Sequence, residues 1–333
     1  MTKKRIGVVG CGQWGPNQIR SFFFHPGTQV VRICDTDPAR LAANQALFSA
    51  IETTQKYEEI TRADDIDAVV ITTPVSTHFQ IAQDALSHGK DVLCEKPMTI
   101  HSQECETLAQ LAEKNKRILM VGHVFLFNPG ILELRTLIQS NEIGDIHYLH
   151  AQRTNLGPIR KDVNAVYDLA SHDLSIFNFL LNSKPKVLSA VGKCYLQKNV
   201  EDIAFVSLEY PGNILAHIHV SWLDPKKVRQ ITVVGTKKMM TWDDLSRSGP
   251  VEIYSKHVEV KPYYSDFGEF NLLVKEGEVR IPYISNVEPL KQQTEHFVDC
   301  ILNRKKPLTD AVSALEVVRT LEEIQDLLKK SHT

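Results

Sequence analysis

The sequence predicts an α/β chain in two parts: a parallel sheet covered by helices on both faces, then an α+β domain with a large, mostly antiparallel sheet. Three observations predict it. The 333 residues exceed what one hydrophobic core usually serves. Strand-like apolar runs alternate with helical patterns through about residue 125. Beyond that point most strand-like runs follow one another directly, as in an antiparallel sheet. The division is therefore drawn as 1–125 and 126–333, with the C-terminal helices expected to pack back toward the first domain.

In the first part RIGVVG, VVRICD, AVVITT, DVLCEKP and RILMVGH read as short buried strands. Between them GQWGPNQIRSFFF, PARLAANQALF, STHFQIAQDALSHG and SQECETLAQLAEKN read as helices. Asp37 before Pro38 is a natural helix cap. Ser102 is expected to cap the helix after CEKP, in an imperfect capping box, since Cys105 stands where the acid belongs. The second part opens with a helix, NPGILELRTLIQSNEIG, and a strand, DIHYLHAQRTN. A second helix, DLASHDLSIFNFLLN, precedes strands in KVLSAVGKCYLQ, DIAFVSLEYPG, ILAHIHVSWLD, VRQITVVGT and KKMMTWDD. Two long helices, EPLKQQTEHFVDCILNRKK and DAVSALEVVRTLEEIQDLLKK, end the chain.

Composition narrows the function classes. Hydrophobic residues make up 43% and charged residues 23%, as in an ordinary folded protein. A formal charge of -2, with one short basic run at Arg304–Lys306, gives no footprint for a nucleic-acid partner. No run is long enough to span a membrane. The stretch MTKKRIGVVGCG passes straight into a glycine-rich turn with no signal-peptide apolar region. The six cysteines form no CxxC pair and lie mostly in apolar runs, which suits reduced thiols and a cytoplasmic location.

The chemistry starts at GVVGCGQWG, where Gly10, Gly12 and Gly15 have GxGxxG spacing between a strand and a helix. Such glycines allow a tight turn, close approach of backbone to a pyrophosphate, and close helix–strand packing. The helix N-terminus offers unpaired amides to the phosphates. The fold expected here is the dinucleotide-binding, or Rossmann, arrangement. Asp35 ends the second strand, where a carboxylate accepts from the adenosine ribose diol and repels a 2′-phosphate, so NAD is favoured over NADP. Gln13 and Trp14 in the glycine loop, Thr73, Pro74 and His78 after the third strand, and Glu95 and Lys96 after the fourth complete the cofactor set. Trp14 serves equally well as a packing residue, and Thr77 and His78 as residues that cap and pack the next helix.

Lys96 in CEKP is placed at the carboxyl edge of the sheet, where it can steady developing negative charge on a substrate oxygen or pass a proton. Asp168 and His172 in VYDLASHDLS are four apart and would share one helix face. Taken alone, they are a catalytic pair, a metal pair or a satisfied polar spot on a buried helix. Metal fits poorly: two ligands are too few, and the extra histidines His217 and His219 bring no HExxH or cysteine-rich pattern. Those two histidines read as sheet-face residues. Arg153, Arg160 and Lys161 surround Asn155 and Gly157 in RTNLGPIRKD, a grouping suited to an anionic substrate, though equally to a solvated loop. Tyr167 directly precedes Asp168 and is placed to pack or to touch substrate.

Together GVVGCGQWG, TTPVSTH, CEKP and DLASH, in that order and spacing, resemble the glucose-fructose oxidoreductase, inositol dehydrogenase and MocA-like oxidoreductases over nearly the whole chain. The resemblance implies that the second sheet is open-faced and mixed, and that Lys96, Asp168 and His172 act on a secondary hydroxyl of a sugar or polyol. One departure is GHVFLFNP, with Leu126 where the family commonly carries arginine. The segment QRTNLGPIRKDVNAVYDLASHD is similar to the branch that works on nucleotide-linked sugars, oxidising C3 of UDP-N-acetylglucosamine or its uronate. On that basis Lys96, Arg153, Asn155, Arg160, Tyr167, Asp168 and His172 are expected to meet the substrate, with no metal. A free sugar or inositol is the enzymatic alternative. A non-catalytic NAD sensor or scaffold is the alternative from another class, and it would need neither Lys96 nor His172. A homodimer or homotetramer paired through the second sheet is expected, because an uncovered apolar face needs a partner.

Overall fold

The structure, a computed structural model, describes residues 3–247, 249–260 and 272–330. Two compact units divide the chain: 1–127 with 287–322, and 128–286 with 323–333.

In chain order the first unit contains β1 (Lys4–Val9), α1 (Gly15–Phe24), β2 (Thr28–Cys34), α2 (Pro38–Leu47), β3 (Glu52–Thr54), α3 (Glu58–Thr61), β4 (Ala68–Ile71), α4 (His78–Ser87), β5 (Asp91–Cys94), α5 (Ser102–Lys114) and β6 (Leu119–Val121). The six strands form a parallel sheet in the order β3-β2-β1-β4-β5-β6. The order reverses between β1 and β4, which opens a crevice at their carboxyl ends. Strand β4 shows why these runs are apolar throughout. Ala68 and Val70 join the core on one face, while Val69 and Ile71 join the core on the other. Full burial of each valine or isoleucine contributes about 1.5–3 kcal/mol.

The helix starts follow local chemistry only in part. Asp37 caps α2 by accepting from the Ala39 amide at 2.9 Å. Ser102 does not cap α5: the cap position is His101, and Ser102 is the first helical residue. Its amide instead donates to Glu322 Oε1 at 3.1 Å, so a carboxylate 220 residues away does the work expected of a neighbour.

The second unit begins with α6 (Pro129–Gln139), capped by Asn128 with Pro129 in its first turn. Then come β7 (Ile146–Leu156), a π-helical turn at Val166–Ala170 and α7 (Ser171–Leu181). They precede β8 (Lys186–Lys193), β9 (Ile203–Tyr210), β10 (Ile214–Ser221), β11 (Leu223–Gly235), β12 (Met239–Asp243), β13 (Val251–Tyr254), β14 (His257–Val260), β15 (Leu272–Lys275) and β16 (Val279–Arg280). Eight of these strands form one sheet, β16-β13-β12-β11-β7-β10-β9-β8. It is antiparallel except where β10 runs parallel to β7. Alternate residues such as Ala216, Ile218, Val206, Leu208, Val233 and Trp242 are buried on one face. The other face exposes Tyr148, Phe205 and Leu215. On it the His150 ring stacks with His217 at 5.7 Å, and Phe205 stacks with His219 at 4.4 Å.

The chain closes with α8 (Pro289–Asn303) and α9 (Ala311–Lys330). Helix α8 and most of α9 belong to the first unit. Phe297 of α8 meets Phe22 of α1 edge-on at 6.0 Å, and Thr309 between the helices accepts the Val121 amide at 2.8 Å. Among the described residues no helix is long and apolar enough to cross a membrane.

Candidate active site

The glycine loop turns where β1 ends. Gly10 has φ +103, and a side chain there would strike the Thr72 and Thr73 backbone at 2.7–2.8 Å. Thr72 at the end of β4 locks the turn by donating from Oγ1 to the Gly10 carbonyl at 2.6 Å. A Cβ at Gly12 would meet nothing nearer than Arg40 Nη1 at 3.6 Å, which leaves room for phosphate. Helix α1 has no side-chain cap and no acid in its first turn, so its positive end favours an anion, although Pro16 has no N–H and the Asn17 amide already donates to the Trp14 carbonyl at 3.1 Å. Asp35 is 8% exposed. One oxygen accepts from the Cys11 amide at 2.7 Å and the other from the Asp37 amide at 2.9 Å. The carboxylate is thereby aimed before any ribose arrives, and each oxygen retains a lone pair. These residues fit the diphosphate and ribose of NAD.

Glu95, just past β5, is a hub. Gln18 of α1 donates to its Oε1 at 2.9 Å, the Lys96 amide reaches Oε2 at 3.3 Å, and Trp14 also donates to it. A side chain at Gly122 would come within 3.0–3.1 Å of the carboxyl. Desolvation raises this carboxyl above its ordinary range, against the pull of Gln18 and Lys96. The arrangement ties the glycine-loop helix to the strand end that presents Lys96. His123 stands two residues past β6, as Lys96 stands two residues past β5, and the strand ends Cys94 and Val121 are paired in register. It is buried, its Nδ1 has no partner among the described residues, and burial with the nearby Lys96 charge pulls it down to about 3. It is therefore a neutral imidazole at working pH.

His78 is another matter. It is 1% exposed, and its two ring nitrogens face the carbonyl oxygens of Pro97 at 3.0 Å and Thr73 at 2.9 Å. The ring fastens the turn after β4 to the turn after β5. Thr73 in turn receives the Thr77 hydroxyl at 2.7 Å.

In the second unit Asp168 lies inside the π-helical turn and His172 in the first turn of α7. The wider turn alters the simple helical spacing assumed for the pair, and such turns recur at functional sites. Arg160 Nη1 is 3.2 Å from Asp168 Oδ1, and Trp222 Nε1 donates to Oδ2 at 3.2 Å. Arg160 also grips Asp162, with Nε to Oδ1 at 3.0 Å. Its side chain is 34% exposed. Tyr167 is buried against this turn, with its amide bound to Asn164 at 3.0 Å.

Two expected substrate contacts have partners within the chain. Arg153 is 3% exposed, and its guanidinium makes a forked pair with Asp173, Nη2 to Oδ1 at 2.8 Å. Desolvation raises the Asp173 carboxyl and Arg153 opposes that shift. This cation joins β7 to α7, and reaching a diphosphate would leave Asp173 buried without it. Asn155 turns its amide onto the Gly157 carbonyl and shapes its own loop. Lys161 is exposed. Among the described residues no three His, Cys, Asp or Glu side chains gather to hold a metal.

Sequence reasoning missed Gln18, Thr72, His123 and Trp222. Gln18 sits at helical spacing among apolar residues and reads as core. His123 lies in GHVFLFNP, and a lone histidine after a short strand carries no spacing signal of its own.

Comparison with known proteins fits this geometry. Residues 4–123 match an oxidoreductase family's NAD-binding Rossmann fold, and residues 131–241 match the GFO/IDH/MocA C-terminal domain. An uncharacterised oxidoreductase of Streptococcus pneumoniae is 26% identical over 226 residues, 64% of this chain and 61% of that protein. Inositol 2-dehydrogenase of Salmonella typhimurium is 29% identical over 190 residues, 55% and 56% of the two chains. The chain thus spans roughly 56–61% of the length of these relatives. UDP-N-acetylglucosamine 3-dehydrogenase GnnA from Acidithiobacillus ferrooxidans has the same fold, with a TM-score of 0.84 over all of both chains at 21% identity. With both of its domains matched, the chain belongs to the GFO/IDH/MocA family of NAD-binding oxidoreductases.

Proposed function

We propose that the protein is an NAD-dependent dehydrogenase of a secondary hydroxyl on a nucleotide-linked sugar, with C3 of UDP-N-acetylglucosamine the favoured position. The observation that carries the reading is Arg160: a partly exposed guanidinium, 3.2 Å from Asp168, in the loop that leads into the Asp168–His172 segment. A cation there suits a substrate that brings its own diphosphate. A free sugar or inositol offers it only neutral hydroxyls, a weaker match for a guanidinium than a phosphate. The inositol 2-dehydrogenase relatives favour that second reading, and UDP-N-acetylglucosaminuronate remains a third.

In the oxidative direction the substrate loses a hydride from carbon and a proton from oxygen. NAD, when bound, supplies the hydride acceptor. Lys96 steadies the oxygen as it gains negative charge, and His172 takes the proton, with Asp168 orienting the acid–base group. Glu95 fixes the strand end that carries Lys96. Self-association through the exposed face of the eight-stranded sheet completes the proposal.

The test is a panel of UDP-sugars, free sugars and inositol with NAD, followed by NMR of the product to locate the ketone. Oxidation of UDP-N-acetylglucosamine at C3 supports the reading. Turnover of inositol or glucose without turnover or binding of any UDP-sugar overturns it.

A further inference from the structure

Trp222 belongs to none of the motifs that mark this site, yet it touches the site's carboxylate. It is 1% exposed, between β10 and β11, and its indole Nε1 donates to Asp168 Oδ2 at 3.2 Å. Its backbone is held on both sides. The amide donates to the Asp202 carbonyl at 2.9 Å, and the carbonyl accepts from the Gly157 amide at 3.0 Å. Asp202 is pinned in turn, with Oδ2 accepting from the Leu196 amide at 2.9 Å. Gly157 opens the loop that carries Arg160, and Arg160 reaches the other oxygen of Asp168. The two carboxylate oxygens are thus divided between donors from the sheet and from the loop. Any rotation of the carboxylate lengthens one bond or the other. A buried indole is rigid, with only two side-chain torsions, and its N–H requires an acceptor.

We propose that Trp222 is a positioning residue of the dehydrogenase. It sets the rotation of the Asp168 carboxylate and registers it against the loop bearing Arg160. This rests on the reading of Asp168 as part of the proton-handling pair. Misplacement of a reacting group by about 1 Å costs on the order of 100-fold in rate, so a fixed carboxylate has a measurable consequence.

Two measurements on the full chain test it. The protein has three tryptophans, so ¹⁵N-indole spectra show three cross-peaks, and Trp222→Phe identifies the one from residue 222. Asp168→Ala should shift that peak. In steady state, with UDP-N-acetylglucosamine or whichever panel sugar is turned over, Trp222→Phe should lower kcat about 10–100-fold and leave the NAD Kd unchanged. The double variant should be no slower than Asp168→Ala alone, because Trp222 acts through that carboxylate. If Trp222→Phe does not fold, β-(3-benzothienyl)alanine at position 222 keeps the shape and removes only the N–H. An unmoved indole peak overturns the proposal whatever the substrate, and so do kinetic losses that multiply in the double variant. A moved peak with no turnover of any sugar by the wild type counts against the functional reading alone.

Discussion

Replacing Lys96 by methionine keeps the length of the side chain and removes its charge. On the proposed mechanism kcat falls about 10²–10⁴-fold, while calorimetric NAD affinity changes far less. His172→Asn should behave likewise, and unaltered turnover in both variants would sink the catalytic assignment of these two residues. His123 makes a separate prediction about stability. Its folded value near 3 lies below the ordinary 6.5, so the unfolded chain takes up a proton that the folded chain refuses. The stabilisation is fully present above pH 6.5 and is lost progressively as pH falls toward 3, by roughly 4–5 kcal/mol at the end of that window. Urea melts of His123→Leu should show a flatter acid slope from pH 6 to 4. An unchanged slope would mean that burial of this ring does not govern acid stability.

Between elements, the buried Arg153–Asp173 pair is highly sensitive to single substitution. Arg153→Met strands Asp173 in the interior and should cost about 3–5 kcal/mol. Adding Asp173→Leu should recover most of that loss in thermal melts, whereas a cationic role toward substrate would show as a raised KM that the second change leaves in place. The same pair shows where sequence reading stops. The strands with strong apolar runs, the glycine loop and Asp35 were legible because each is specified by neighbours within a few residues. Strand β3 and helix α3 were not, since three and four residues carry no measurable period. Strands β13–β16 were also missed, because runs of two to four residues after KKMMTWDD gave too little alternation to separate them from loop. The roles of Arg153, His78 and Trp222 depend on partners 19–54 positions away, and a one-dimensional spacing argument has no access to those. For Arg153 only its type and its near neighbours were visible in the sequence, and the buried Asp173 opposite it was not.

Across the whole molecule, the exposed face of the eight-stranded sheet sets the expectation for assembly. Phe205, Leu215 and Tyr148 are 42–51% exposed around stacked histidines. Sedimentation at micromolar concentration should give a dimer or tetramer, and Phe205→Glu with Leu215→Glu should shift it to monomer. A wild-type monomer would remove the pairing proposal. Burial, followed by the neighbouring histidine charge at His150, lowers His217. Pairing would desolvate these histidines further and oppose their protonation, so assembly should weaken as pH falls below the ordinary histidine range.

The order in which the chain is made adds a consequence. The first unit is assembled from 1–127 and 287–322, with residues 128–286 between them. Phe22 and Val121 wait for partners, Phe297 and Thr309, that leave the ribosome long after them. At about 5–20 residues per second those 159 intervening residues take roughly 8–32 s. Throughout that interval the nascent nucleotide-binding half presents an unfinished apolar flank, while the segment made in between has all of its own large sheet available. The half that begins synthesis first therefore waits for helices that are made only after the whole of the second sheet.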